Sequence, residues 1–95
     1  MGAFEWDPAK DAANWAKHGI SFEEAATIFE GPILSYEDDE LDGEVRERSY
    51  GLLGETVVVC VIHTDRGGTT RIISARKATP RERKLFHDYL QKAIR

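Results

Sequence analysis

The chain has 95 residues, 41% of them hydrophobic and 32% charged, a soluble balance that holds one modest core and argues against disorder. It has no apolar run long enough for a membrane span. The start from Met1 to Trp6 lacks the basic-then-apolar order of an export signal, and the single Cys60 leaves no internal disulfide, so the expectation is one cytoplasmic domain over residues 1–95 with no membrane partner.

The net charge of −4 conceals a segregation. Residues 1–65 carry 15 acids against 4 Lys/Arg, a balance of −11, while residues 66–95 carry 9 Lys/Arg against 2 acids, a balance of +7. Such a basic segment fits a polyanion or an acidic protein partner, and it equally fits a solvated basic helix packed on an acidic body.

Asp7 and Pro8 open a first helix, Lys17 and His18 sit where the helix dipole favours cations, and Gly19 ends it. Ser21 with Glu24 forms a capping box for a second helix, whose buried face is Phe22, Ala25, Ala26 and Phe29 and which Gly31-Pro32 terminates. A short apolar strand at residues 33–36 precedes an acidic stretch, Glu37 to Gly43, which reads as a solvated loop. Three more strands follow at 45–53, 56–64 and 70–77, joined by turns at Gly54-Glu55 and Asp65 to Gly68. The run Val57 to Ile62 is apolar on both faces and predicts a central strand. Thr79-Pro80-Arg81-Glu82 caps a final helix with the stripe Leu85, Phe86, Tyr89, Leu90, Ala93 and Ile94, leaving Lys84, Lys92 and Arg95 off it. The predicted fold is α+β: two N-terminal helices, a four-stranded antiparallel sheet and one C-terminal helix, with helices over one sheet face.

The three histidines, His18, His63 and His87, are scattered and show no zinc-site spacing, Gly67-Gly68 lacks the context of a phosphate loop, and no Ser-His-Asp signature with a nucleophile turn is present, so no metal and no cofactor are expected. What remains is arginine on strands. Alternation puts Arg46, Arg48 and Tyr50 on one face, and it separates Arg71, Ile73, Ala75 and Lys77 from Ile72, Ser74 and Arg76. Strand arginines either bind phosphate through their planar fork or pair across strands, for instance Arg46 with Glu44 or Glu47.

The segments Trp6-Asp7-Pro8-Ala9-Lys10, Asn14, Lys17-His18-Gly19-Ile20-Ser21-Phe22, Gly43-Glu44-Val45-Arg46 and Arg71 to Ala78 with Glu82-Arg83 occur in order from Trp6 to about Tyr89. Together they resemble the BrnT family of toxins. That resemblance implies a RelE-like fold, RNA cleavage that halts translation, and neutralisation by a BrnA-like antitoxin through which alone DNA is contacted. One departure is Phe86, where the family pattern suggests tyrosine; the apolar stripe explains both Phe86 and Tyr89 as core.

Metal-free RNA cleavage by the ribose 2′-hydroxyl needs a base, an acid and cations around the pentavalent phosphate. Arg76 is the first candidate for charge stabilisation, Arg46 the second, and Glu44 is either a base or the residue that orients Arg46. Lys17, His18, Arg71, Lys77 and Arg81 are the candidate RNA-binding residues, although Lys17 and His18 also complement the end of their helix. The competing reading is a non-catalytic nucleic-acid- or protein-binding accessory module.

Overall fold

The computed structural model describes residues 3–41 and 43–93; Met1, Gly2, Asp42, Ile94 and Arg95, which carry part of the N-terminal, acidic-loop and final-helix readings, lie outside them. The elements run β1 (Ala3–Glu5), α1 (Pro8–His18), α2 (Phe22–Ala26) leading into a 3₁₀ turn (Thr27–Glu30), β2 (Leu34–Leu41), β3 (Glu44–Leu53), β4 (Val57–Arg66), β5 (Thr69–Lys77) and α3 (Pro80–Ala93). The strand order is β1-β5-β4-β3-β2.

The class is α+β, but the expected four-stranded antiparallel sheet behind two N-terminal helices is corrected to a five-stranded mixed sheet. β1 opens the chain and pairs parallel to β5, with Phe4 opposite Thr70. Three residues are too few to show an alternation, and their partner lies more than sixty residues away; the crossover that parallel pairing demands is everything between. The acidic stretch is also corrected, because Glu37 to Leu41 continue β2 on the sheet edge. Charged side chains suit an edge strand, and here Asp38 and Asp39 face Arg48 and Arg46 on β3.

Helices cover both sheet faces, not one as expected. On one, Phe22, Ala25 and Ile28 bury against Val59, Val61 and Ile72. On the other, Phe86 of α3 buries against Tyr50, Val58 and Cys60. The doubly apolar β4 requires this, since a strand with Val59 and Val61 on one side and Val58 and Cys60 on the other must be covered twice. Gly51 lets the 3₁₀ turn settle on β3: a Cβ there would lie 2.9 Å from Ile28 Cβ. Gly67 and Gly68, at φ +53° and +91°, form the two-residue turn between β4 and β5.

Two features of β5 position the site. Beyond Arg71 its edge is free of β1, and Asn14 of α1 takes the place of a strand. Its Nδ2 donates to Ala75 O at 2.8 Å and Ile20 O at 2.9 Å, while its Oδ1 accepts from Ala75 N at 3.1 Å. In addition, Ile62 faces Ser74 while the next residue, His63, faces Ile72, leaving Ile73 as a bulge. Strict alternation would group Arg71 with Ala75 and Lys77; the bulge instead places Arg71 on the face of Ser74 and Arg76, with Lys77 opposite.

Candidate nucleic-acid interface

α3 covers only the end of its sheet face nearest Val58 and Cys60. Toward the other end that face is open, and inward-turned positions of β3, β4 and β5 present Glu44, Arg46, Thr64, Arg66, Arg71 and Ile73 around a hollow of about 140 Å³, closed on one side by Lys10 of α1. Four cations thus surround one acid. Glu44 accepts two hydrogen bonds from Arg66, at Nε and, at 2.8 Å, NH2. That pairing holds the Glu44 carboxyl below its ordinary range. Arg71 NH1 lies 3.2 Å from Glu5. Arg46 is different: among the described residues its nearest carboxylate oxygen, on Asp39, is 3.9 Å away, outside hydrogen-bond range. Beside it the hydroxyl of Thr64 is buried without a partner.

A second hollow of about 250 Å³ shares Lys10 and Ile73 with the first and is walled by Lys17, His18, Asn14 and Ser74. A third, of about 360 Å³, lies between β3 and the start of α3, where Arg48, Arg81 and Lys84 surround Leu85. Arg48 spreads over the Tyr36 and Tyr50 rings, 5.8 and 5.9 Å from their centroids.

Arg76 stands at the junction of β5 and α3. Its NH1 and NH2 donate to the two oxygens of Glu82 at 2.7 and 3.1 Å. Tyr50 donates to the same carboxylate at 2.6 Å, and Thr79 N at 2.9 Å completes the capping box. The Arg76 guanidinium brings the Glu82 carboxyl down to about 2, and burial, helped by the adjacent Glu82 carboxylate, pushes the Tyr50 phenol up. Along β4, the partners of Arg76 and Arg71 are Cys60 and Thr64, so Arg76 is roughly 13 Å from the arginine hollow.

The sequence-named residues therefore divide. Glu44, Arg46 and Arg71 come together, Lys17 and His18 adjoin them, Arg81 borders the third hollow, Arg76 is clasped by Glu82, and Lys77 points to the other side. Sequence reasoning left Lys10, Thr64 and Arg66 off the site. Arg66 was assigned to a turn; extending the alternation from Thr64 places it two residues on, on the same face.

The profile of the family described as "Ribonuclease toxin, BrnT, of type II toxin-antitoxin system" matches residues 6–82. The chain belongs to the BrnT family. Among solved structures, the Brucella abortus ribonuclease toxin BrnT superposes with a TM-score of 0.64 at 23% identity, over 83% of this chain and 99% of that one. No curated protein sequence matches. Membership makes the chain a ribonuclease toxin of a type II toxin-antitoxin system, for which an antitoxin partner is implied. Among the described residues no helix is long and apolar enough to cross a membrane.

Proposed function

We propose that this BrnT protein acts in the cytoplasm, as one domain over residues 1–95, as an endoribonuclease that needs no metal ion for cleavage and is neutralised by a BrnA-like antitoxin. The observation that carries this reading is the hollow where, among the described residues, Arg46 has no hydrogen-bonded acid and Thr64 has an unmatched hydroxyl, with Arg66, Arg71 and Lys10 around them. A guanidinium whose acid, Asp39, stands 3.9 Å off, next to an orphaned buried hydroxyl, is complementary to a phosphate bearing several acceptor oxygens.

In this reading Arg46 and Arg71 grip the scissile phosphate and stabilise its extra charge as the ribose 2′-oxygen attacks. Phosphate competes with Glu44 for Arg66, so RNA binding frees the Glu44 carboxylate to take the 2′-proton. Lys17 and His18 line the RNA path and serve the departing 5′-oxygen in this reading, and Arg81 and Arg48 extend the basic track beside α3. Arg76 is a positioning residue that fixes the start of α3 beside this track. Lys77, on the other face, contributes only to the long-range field. The products are a 2′,3′-cyclic phosphate and a 5′-hydroxyl. An antitoxin rich in acidic side chains would cover the same arginine face and exclude RNA.

The test is cleavage of a defined single-stranded RNA by the purified toxin with EDTA present, with the new ends analysed. Cyclic phosphate ends that persist in EDTA and vanish in Arg46→Ala support the reading. RNA retention without cleavage would favour the accessory binding module, and activity restored only by magnesium or manganese would overturn metal independence.

A further inference from the structure

Charge is segregated across the open end of the sheet. On the arginine face, Asp38, Asp39 and Glu44 each meet a guanidinium. On the opposite face Glu37, Glu47 and Asp65 cluster, and among the described residues no Lys or Arg nitrogen lies within 4.0 Å of any of them. Into this cluster points His63, a base only 3% exposed.

The arrangement follows from strand register. Glu47 of β3 is directly opposite His63 of β4, and Asp65 is two residues further along β4, so all three share one face. One ligand atom from each, a carboxylate oxygen or a ring nitrogen, lies within 4.8 Å of the others. His63 Nδ1 is 3.2 Å from Asp65 Oδ1. Its other nitrogen, Nε2, is 2.7 Å from the buried Ser49 Oγ, which is 2.8 Å from Ser35 Oγ. The Phe29 ring packs at right angles to the imidazole, with centroids 5.1 Å apart.

We propose that Glu47, His63 and Asp65 form a binding site for a divalent cation of the zinc class. A buried imidazole with two carboxylates supplies a mixed nitrogen and oxygen donor set, and three protein ligands leave room for water. A histidine ligand is normally oriented through a hydrogen bond at its second nitrogen, the part that Ser49 plays here. When Nε2–H donates to Ser49, the Nδ1 lone pair faces a carboxylate, and the cation takes the place that a proton on Nδ1 would otherwise fill. Tetrahedral zinc needs donor separations of about 3.4 Å, which partial rotation of the Glu47 and Asp65 side chains supplies. The site is on the sheet face away from Arg46, so a bound cation ties β3 to β4 without touching RNA.

The test is titration of the metal-stripped toxin with zinc chloride, read by calorimetry, thermal unfolding and the His63 ring resonances. One-to-one binding, a higher Tm and a shift centred on His63 are expected. Glu47→Gln and Asp65→Asn, both near-isosteric, should fold as the wild type and bind zinc at least about tenfold more weakly. No shift at His63, or binding unchanged in both variants because His18 or His87 holds the metal, would overturn the proposal. RNA cleavage serves as an independent control, since loss of this site should leave it unaltered.

Discussion

Arg76 and Glu82 are joined by two parallel hydrogen bonds of 2.7 and 3.1 Å, and the pair ties the last strand to the first turn of α3. Because Tyr50 and Thr79 lean on the same carboxylate, removing Arg76 leaves a half-buried acid with its charge uncompensated. We expect Arg76→Ala to lower Tm by about 5–15 °C, from a loss of about 1–2 kcal/mol. Arg76→Lys should recover little, since an ammonium cannot reproduce the fork. An Arg76→Ala toxin with wild-type Tm but no cleavage would instead move Arg76 into the reacting machinery.

Arg46 should behave in the opposite way. Among the described residues it has no hydrogen-bonded partner to orphan, so Arg46→Ala is expected to leave Tm within a few degrees of the wild type while cleavage falls about 100- to 1000-fold. Parallel melting curves and single-turnover cleavage rates check both halves. A large loss of stability would show that its 3.9 Å approach to Asp39 matters to folding.

Acid should loosen α3 in a defined window. The Glu82 carboxyl sits at about 2 in the folded protein, depressed from its ordinary 4.5. A group depressed in this way contributes stability above its unfolded value, and that contribution disappears as pH falls from about 4.5 toward 2. At most about 3 kcal/mol is at stake. Glu82→Gln should be less stable at pH 7 and show a flatter stability profile between those limits. Superimposable wild-type and variant profiles in chemical denaturation would rule this out.

Gly51 is the place where one methyl group should matter most. Its Cβ would meet Ile28 Cβ at 2.9 Å and Ile33 Cδ1 at 3.0 Å. Gly51→Ala is therefore expected to cost about 1–3 kcal/mol. Gly31→Ala, where a Cβ would meet nothing within 4 Å, is the control and should stay within about 0.5 kcal/mol. Equal denaturation midpoints for the two would refute the contact.

Asn14→Ala removes three buried hydrogen bonds and leaves both backbone polar groups of Ala75 without a partner. We expect a loss of about 3 kcal/mol. Hydrogen exchange should show the Ala75 amide exposed first, ahead of the antiparallel core of the sheet. Unchanged protection at Ala75 would mean that water replaces the side chain without loss.

The three helix starts were legible because capping chemistry is local: Asp7, Ser21 and Thr79 each accept from the backbone two or three residues on. From the first helix onward, the order from helices through strands to helix was also legible. The parallel strand β1 was not, since its pairing with β5 joins the two ends of the chain. Nor was the bulge at Ile73, which decides that Arg71 and Arg76 share a face; a register shift leaves no mark on one strand read alone. The site followed the same division. Arg46 and Arg71 were named from strand position and Glu44 from the segment Gly43-Glu44-Val45-Arg46, while Arg66 joins them because β4 runs past Thr64 and Lys10 through the placement of α1. The Glu47, His63 and Asp65 cluster escaped because its ligands lie on two strands and share no short spacing.

Opposite charges on the two sides of the open end of the sheet give the molecule a polarity that its net charge does not show. With a pI near 5.3 the protein as a whole should move as an anion at neutral pH. Yet a negatively charged resin such as heparin should retain it, because the bead meets only the side bearing Arg46, Arg66 and Arg71. A positively charged resin should hold the same molecule by its reverse side. Ionic strength would then release it from both, and the order of elution would report local polarity where net charge misleads.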